Sequence, residues 1–265
     1  MGESTISDAR AHLEKSVELD PEFTAAHYEL ALLLKEQGAR KKAEQHFRKV
    51  VRLDPEHAQG RFQLALLQHE KGALDKARAD YDKVLEINPQ LAAVHYHYGD
   101  LLEQQGDLIE AKSHFEKATD IDQNYVAAYY RLGRLMLDPD DYDQAKQNYQ
   151  MAVDIEPDFA PARYYLGKLL AGGRRINEEG MLVVEPEREL AGDQFRACVE
   201  LDGDDYKAHF NLAKLLAASG DPAGAREQFD RALELHPDYP KAHFHLALLL
   251  MAQEEEHAED REAAQ

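Results

Sequence analysis

The 265-residue sequence holds a single cysteine, Cys198, which excludes an internal disulfide and any zinc site built on several cysteines. Bases are scarce: 31 Lys and Arg stand against 51 Asp and Glu, a formal charge of −20. Such a chain repels phosphate backbones and anionic membrane surfaces, so neither general nucleic-acid binding nor binding to an anionic membrane surface is expected. No apolar run approaches the roughly 20 residues that span a bilayer. The start, MGESTISDARAHLEKS, has no basic segment followed by an apolar one, so no secretory signal is read there. The default compartment on these grounds is the cytoplasm. Glycine (15) and proline (10) are too few for the many turns of a β-rich fold, and Ala, Glu and Lys are plentiful. Apolar residues make up 44%, enough for a packed core.

What the chain does have is a period. Pro21, Pro55 and Pro89 stand 34 residues apart, and the register resumes at Pro157 and Pro237. Ala9, Ala43, Ala77, Ala111 and Ala145 form a column of small residues, and Phe47, Tyr81, Phe115 and Tyr149 a column of rings. Leu30, Leu64, Tyr98, Leu132 and Leu166 form a fourth, followed by small Ala31, Ala65, Gly99, Gly133 and Gly167. A fixed period of this length means an array of stacked supersecondary units.

Each unit reads as two helices. Tyr28, Leu30, Ala31 and Leu34 mark helix A, which Gly38 stops. Helix B starts near Arg40, with Ala43, Phe47, Val50 and Val51 on one face, and ends before Asp54-Pro55. Small residues at Ala31 and Ala43 allow two backbones to approach. One unit cannot bury its stripe alone, but a stack can.

These residues fall at repeat positions 7, 8, 11, 20, 24, 27 and 32, and the pattern resembles the tetratricopeptide repeat (TPR) family over nearly the whole chain. The resemblance implies an all-α fold: a right-handed α-solenoid of antiparallel helix pairs with about six full 34-residue repeats. The expected units are 24–57, 58–91, 92–125, 126–159, 160–205 and 206–239, with half units at 1–23 and 240–252 and an acidic tail at 253–265. The fifth unit carries about 12 extra residues in an insertion at 172–186, with Arg174-Arg175 and the apolar run Met181–Val184. That insertion reads equally as a loop tucked on its own helices and as a contact for a partner; Pro186 is expected in the first turn of the helix that follows. The chain departs from the family at position 4, where tryptophan gives way to His27, Arg61, His95, Tyr129, Arg163, His209 and His243. Gln68 stands in place of a large apolar residue, and Gln123 and Gly203 in place of prolines.

Catalytic signals are weak. There is no glycine-rich phosphate loop and no nucleophile elbow. Cys198 occupies core position 27, so no catalytic, cofactor or metal role is assigned to it. The thirteen histidines show no i,i+4 pair; those at position 4 are expected to pack between helices. The run Asp138–Asp143 lacks the glycine and the glutamate of a calcium loop, and reads as a turn in which Asp141 or Asp143 caps the next helix.

In the family the A helices line the concave side through positions 2, 5, 6, 9, 12 and 13. Position 5 is aromatic throughout: Tyr28, Phe62, Tyr96, Tyr130, Tyr164, Phe210 and Phe244. These rings read equally as scaffold and as ligand contact. Charges on those positions are segregated. Units one to three offer Glu29, Lys35, Glu36, Glu70, Asp100 and Glu103, while later units offer Arg131, Arg134, Asp138, Lys168, Lys207, Lys214 and Lys241. The candidate peptide groove is therefore Tyr96, Tyr130, Arg131, Arg134, Tyr164, Lys168, Lys207, Phe210, Asn211, Lys214, Lys241 and Phe244. Some TPR co-chaperones grip a C-terminal carboxylate with a clamp that needs Lys at position 5. Only Asn211 and Lys241 match it, and His245 stands where Arg belongs, so that clamp is absent.

The expected function is a non-catalytic scaffold that binds an extended, partly acidic peptide or partner protein. The alternatives are a recruitment domain of a larger modifying enzyme, such as a glycosyltransferase, and a scaffold that self-assembles through its end repeats.

Overall fold

The computed structural model describes residues 2–136, 141–172, 174–176, 182–184 and 187–263. They divide into two compact units, 1–123 and 124–265.

The first unit is helical throughout its described residues: α1 (Gly2–Leu19), α2 (Thr24–Glu36), α3 (Arg40–Leu53), α4 (Ala58–Glu70), α5 (Leu74–Ile87), α6 (Ala92–Gln105) and α7 (Leu108–Ile121). Helices α2 and α3, α4 and α5, and α6 and α7 form tight hairpins. Each hairpin turns on a glycine in the left-handed region, Gly38 at φ +75° in the first of them, where a side chain would be strained. The return turn, from a B helix to the next A helix, rests on a side chain. Asp54 Oδ1 accepts the Glu56 N–H at 3.1 Å, and Asn88 Oδ1 accepts that of Gln90 at 3.0 Å. Between them the core is a stack of small and large residues. Leu30, Ala31, Leu34, Ala43 and Phe47 are all buried together with Leu64 and Leu67 of the next hairpin.

The second unit comprises α8 (Val126–Leu135), α9 (Tyr142–Ile155), α10 (Ala160–Gly172), β1 (Arg174–Ile176), β2 (Leu182–Val184), α11 (Arg188–Leu201), α12 (Tyr206–Ala218), α13 (Pro222–Leu235) and α14 (Pro240–Ala263). Its core follows the same columns: Tyr149 and Ala145 pack with Leu166, Leu170 and Ala191, and Phe229 and Ala225 with Phe210 and Ala213. Gly203 does not cost the unit its turn, because Asp202 Oδ1 still accepts the Asp204 N–H at 3.0 Å.

Three sequence expectations need correction. The insertion is not a plain loop: β1 and β2 pair antiparallel, with Arg174 opposite Val184 and Ile176 opposite Leu182. The β-branched residues Ile176, Val183 and Val184 favour that pairing. The last helix does not stop near 252 but runs to Ala263, because AQEEEHAEDREAA offers helix formers and no glycine or proline. Asp141 does stand at the N-cap of α9, yet its side chain accepts no capping hydrogen bond. Asp138 and Pro186 lie outside the described residues.

Candidate functional site

Position 4 turns out to be a structural clamp. His27 bridges Pro21 O at 3.1 Å and His46 Nδ1 at 2.9 Å, and His95 bridges Pro89 O at 3.1 Å and His114 Nδ1 at 3.0 Å. Arg61 holds Pro55 O and Asp80, and His209 holds Gly203 O and Gln228. In each pair one polar side chain ties the incoming turn and helix A to helix B. Gln68, buried to 4% exposure, belongs to the same device, since its Nε2 donates to the second oxygen of Asp80 at 2.8 Å. His243 breaks the pattern and is exposed. It still meets Pro237 O, but no paired helix B supplies its second partner.

The tautomers follow from these bonds. A carbonyl only accepts, so Nε2 of His95 carries the proton and its Nδ1 accepts from His114. Burial pushes His114 down to about 4, with the neighbouring His95, Lys117 and Arg78 adding to the shift. Burial likewise lowers His95 and His46.

Cys198 is 1% exposed, donates to Ala160 O at 3.7 Å, and burial pushes its thiol up to about 12. A thiol held protonated in a core is no nucleophile at neutral pH. Among the described residues no three His, Cys, Asp or Glu side chains are placed to hold a metal ion.

The position-5 rings each lean on the position-24 ring of their own hairpin. Tyr28 meets Phe47 with centroids 6.0 Å apart, Tyr96 meets Phe115 at 5.7 Å, Tyr130 meets Tyr149 at 6.3 Å, Tyr164 meets Phe195 at 5.9 Å, and Phe210 meets Phe229 at 6.0 Å. They are thus partly scaffold. Phe210 is only 5% exposed and offers a ligand little surface, whereas Phe244, on α14 with no partner helix, is 60% exposed.

Tyr96 belongs to the first unit; the other eleven candidate residues lie in the second. There the A helices form one continuous face. Tyr130 of α8 packs on Tyr165 of α10 at 5.7 Å, Asn211 of α12 donates to the Tyr164 hydroxyl of α10 at 3.3 Å, and Phe210 packs on His245 of α14 at 5.5 Å. Cations stand on this face above rings one helical turn away. Arg134 lies 5.8 Å from the Tyr130 centroid, Lys168 5.7 Å from Tyr164 and 5.3 Å from Tyr165, and Lys214 5.7 Å from Phe210. Burial raises Tyr130 and Tyr164, so both are neutral donors near neutral pH. Lys168, Lys207, Lys214 and Lys241 are exposed, and no carboxylate of the described residues lies within salt-bridge distance of them. Arg131 and Arg134 do have partners. Elsewhere some cations are paired, Arg61 with Asp80 at 3.0 Å and Lys146 with Glu187 at 2.7 Å, while Lys42, Lys76 and Lys117 on B helices meet no carboxylate among the described residues.

Sequence reasoning missed Tyr165, which holds Lys168 from the other side. It sits at position 6, a groove position where only charge had been counted, so its ring carried a signal that went unused. On the first unit, Lys35 donates to Gln63 at 2.8 Å and Asp100 lies 3.8 Å from His69, so that face is more fully engaged with itself.

No protein of curated function matches the chain. Among solved structures it is similar to YrrB, described as a TPR protein with an unusual peptide-binding site. Identity there is 28%, TM-score 0.60, covering 74% of this chain and 95% of that one. It also resembles PilF of Pseudomonas aeruginosa (20%, TM-score 0.69, 84% and 96% covered). A third is the C-terminal part of a TPR repeat-containing protein from Cytophaga hutchinsonii (14%, TM-score 0.67, 91% and 94% covered). Tetratricopeptide repeat models match residues 5–55, 31–92, 90–157 and 207–249, most of the chain. With hairpins, glycine turns and ring columns all in that register, the chain belongs to the tetratricopeptide repeat family, and its fold is that of a protein-interaction scaffold.

Proposed function

We propose that the second unit binds an extended, partly acidic segment of a partner protein on the A-helix face of α8, α10, α12 and α14, without chemistry of its own. The observation that carries this reading is the gathering of Lys168, Lys207, Lys214 and Lys241 on one face, none of them paired with a carboxylate of the described residues, in a chain of net charge −20. Lys168 and Lys214 rest on rings, which reduces the rotamer entropy lost when a carboxylate docks. Tyr164 and Asn211, joined by a hydrogen bond, supply polar groups for the backbone of an extended ligand. The similarity to YrrB supports a peptide as the ligand class.

The test is a selection from a random peptide display library on the 265-residue protein. Enrichment of Asp and Glu is expected, and it should vanish on Lys168→Glu/Lys207→Glu/Lys214→Glu. Selection of basic or purely apolar peptides, or an unchanged enrichment on the variant, would overturn the reading.

A further inference from the structure

The lysine face has a complement in the same chain. Between 254 and 262 stand six acids, Glu254, Glu255, Glu256, Glu259, Asp260 and Glu262, against one base, Arg261, a net charge of −5. Glu254–Glu256 is the one run of three consecutive acids in the sequence. Several other acids of the second unit are already engaged. Asp202 and Asp205 accept backbone N–H groups in their turn, Asp221 caps α13, and Glu187 holds Lys146. Glu254 and Glu255 are exposed, and no cation of the described residues lies within salt-bridge distance of them. As a helix the stretch works against itself. Glu255 and Glu259 stand four apart, as do Glu256 and Asp260, a spacing at which like charges destabilise a helix. All six acids fall in the C-terminal part of α14, where the helix dipole favours cations.

We infer that the acidic stretch 254–262 of one copy docks on the lysine face of a second copy, so that the protein is a ligand of its own binding face. This rests on the reading under Proposed function and adds to it a competitor for the same site. Charge complementarity selects the occupant: Lys168, Lys207, Lys214 and Lys241 meet a segment of net charge −5. The length of α14 selects a second copy over the chain's own face. α10 and α12 are 13 residues long, whereas α14 starts in the same register and runs for 24. Its last 11 residues therefore rise roughly 16 Å beyond the turn at which α12 ends. No glycine or proline between Lys241 and Ala263 offers a place to turn back. The contact is heterologous, because each copy offers both a face and a segment, so copies add head to tail. It is weak, since exposed charges supply the attraction. The consequence is regulatory: as the protein is concentrated, neighbouring copies fill the face, and an acidic partner must displace them.

A fluorescein-labelled synthetic peptide of residues 252–265, titrated with the 265-residue protein and followed by anisotropy, is the direct probe. Binding with Kd between about 10 and about 500 μM is expected, weakened roughly tenfold or more by Lys168→Glu/Lys207→Glu/Lys214→Glu. In sedimentation velocity over that range, the mass of the parent should rise above 30.1 kDa with concentration. A chain with Glu254→Gln, Glu255→Gln, Glu256→Gln and Glu259→Gln should stay at 30.1 kDa, with helicity intact because glutamine is as good a helix former. A parent of 30.1 kDa at every concentration would overturn the inference, as would a glutamine variant that self-associates like the parent. Equal binding of the labelled peptide by the lysine variant also counts against it. So does a gain in library-peptide affinity on the glutamine substitutions that is the same at every protein concentration, because that places the segment on its own chain. The proposed function stands through all of these results if the library still yields acidic peptides, and it falls separately if the library does not.

Discussion

Gly133→Ala adds one methyl group where the fold has no room for it. A Cβ at Gly133 would lie 2.7, 2.8 and 2.9 Å from three ring carbons of Tyr149. Ordinary contact starts near 3.4 Å, so the ring must retreat by roughly 0.7 Å. It has little freedom to do so. Tyr149 is 4% exposed, stacked on Tyr165 at 6.0 Å and 18°, and flanked by Tyr130 at 6.3 Å. Overpacking of this kind costs about 1–3 kcal/mol. The gain in helix propensity from glycine to alanine returns about 0.5–1 kcal/mol, which leaves a net loss of up to about 2.5 kcal/mol, centred near 1 kcal/mol. Urea unfolding followed by circular dichroism reads the difference. The decisive comparison is the same substitution in a Tyr149→Leu background, where the clash is gone and the propensity gain makes Gly133→Ala neutral or stabilising. Equal destabilisation in both backgrounds, or none in the parent, would refute the argument that this glycine exists to admit the ring. Gly38→Ala is the control: nothing lies within 4 Å of its Cβ, so its cost of about 1 kcal/mol comes from φ +75° and no ring truncation relieves it.

Other expectations follow from the same geometry. His114 is held down at about 4 against an ordinary 6.5, so the unfolded chain binds more protons between those values, and stability falls as pH drops below about 6.5. Discounted for its partial exposure, the loss is about 1–2 kcal/mol by pH 4, and His114→Gln should flatten that part of the pH profile. Cys198 should resist a thiol reagent at pH 8 until the chain unfolds, and Cys198→Ala should leave peptide binding unchanged; rapid labelling of the folded protein would show that the thiol is not sealed. Lys146→Ala removes both oxygen contacts to Glu187 at the exit of the β hairpin, a loss of about 0.5–1 kcal/mol. It should speed tryptic cleavage at Arg174-Arg175; unchanged cleavage would mean the ion pair does not anchor the hairpin.

The repeat made most of the fold legible before any coordinates. Phe47 and Ala43 recur at fixed spacing because each must meet the same neighbours in every hairpin, so packing is written into the sequence as a period. What was hidden lay off the period. The pairing of Arg174–Ile176 with Leu182–Val184 rests on a few residues in one place, with no second copy to average over. The continuation of α14 depends on the lack of a stop signal, which a column-based reading passes over. The partners of position 4 were hidden too, because His46, Asp80, His114 and Gln228 differ in chemistry while sharing a place. At the candidate face the sequence carried the charges, but not which of them are already spent. Arg131 and Arg134 are engaged, and Phe210 is covered, while the lysines remain open.

The claim that the second unit takes an acidic segment on its A-helix face is tested most directly by lysine footprinting. Acetic anhydride labels exposed lysines, and mass spectrometry with and without a selected acidic peptide locates the contact. The account predicts protection of Lys168, Lys207, Lys214 and Lys241, with the exposed Lys42, Lys76 and Lys117 on B helices labelled equally in both samples. Protection confined to the B-helix lysines, or spread evenly over all of them, would contradict it.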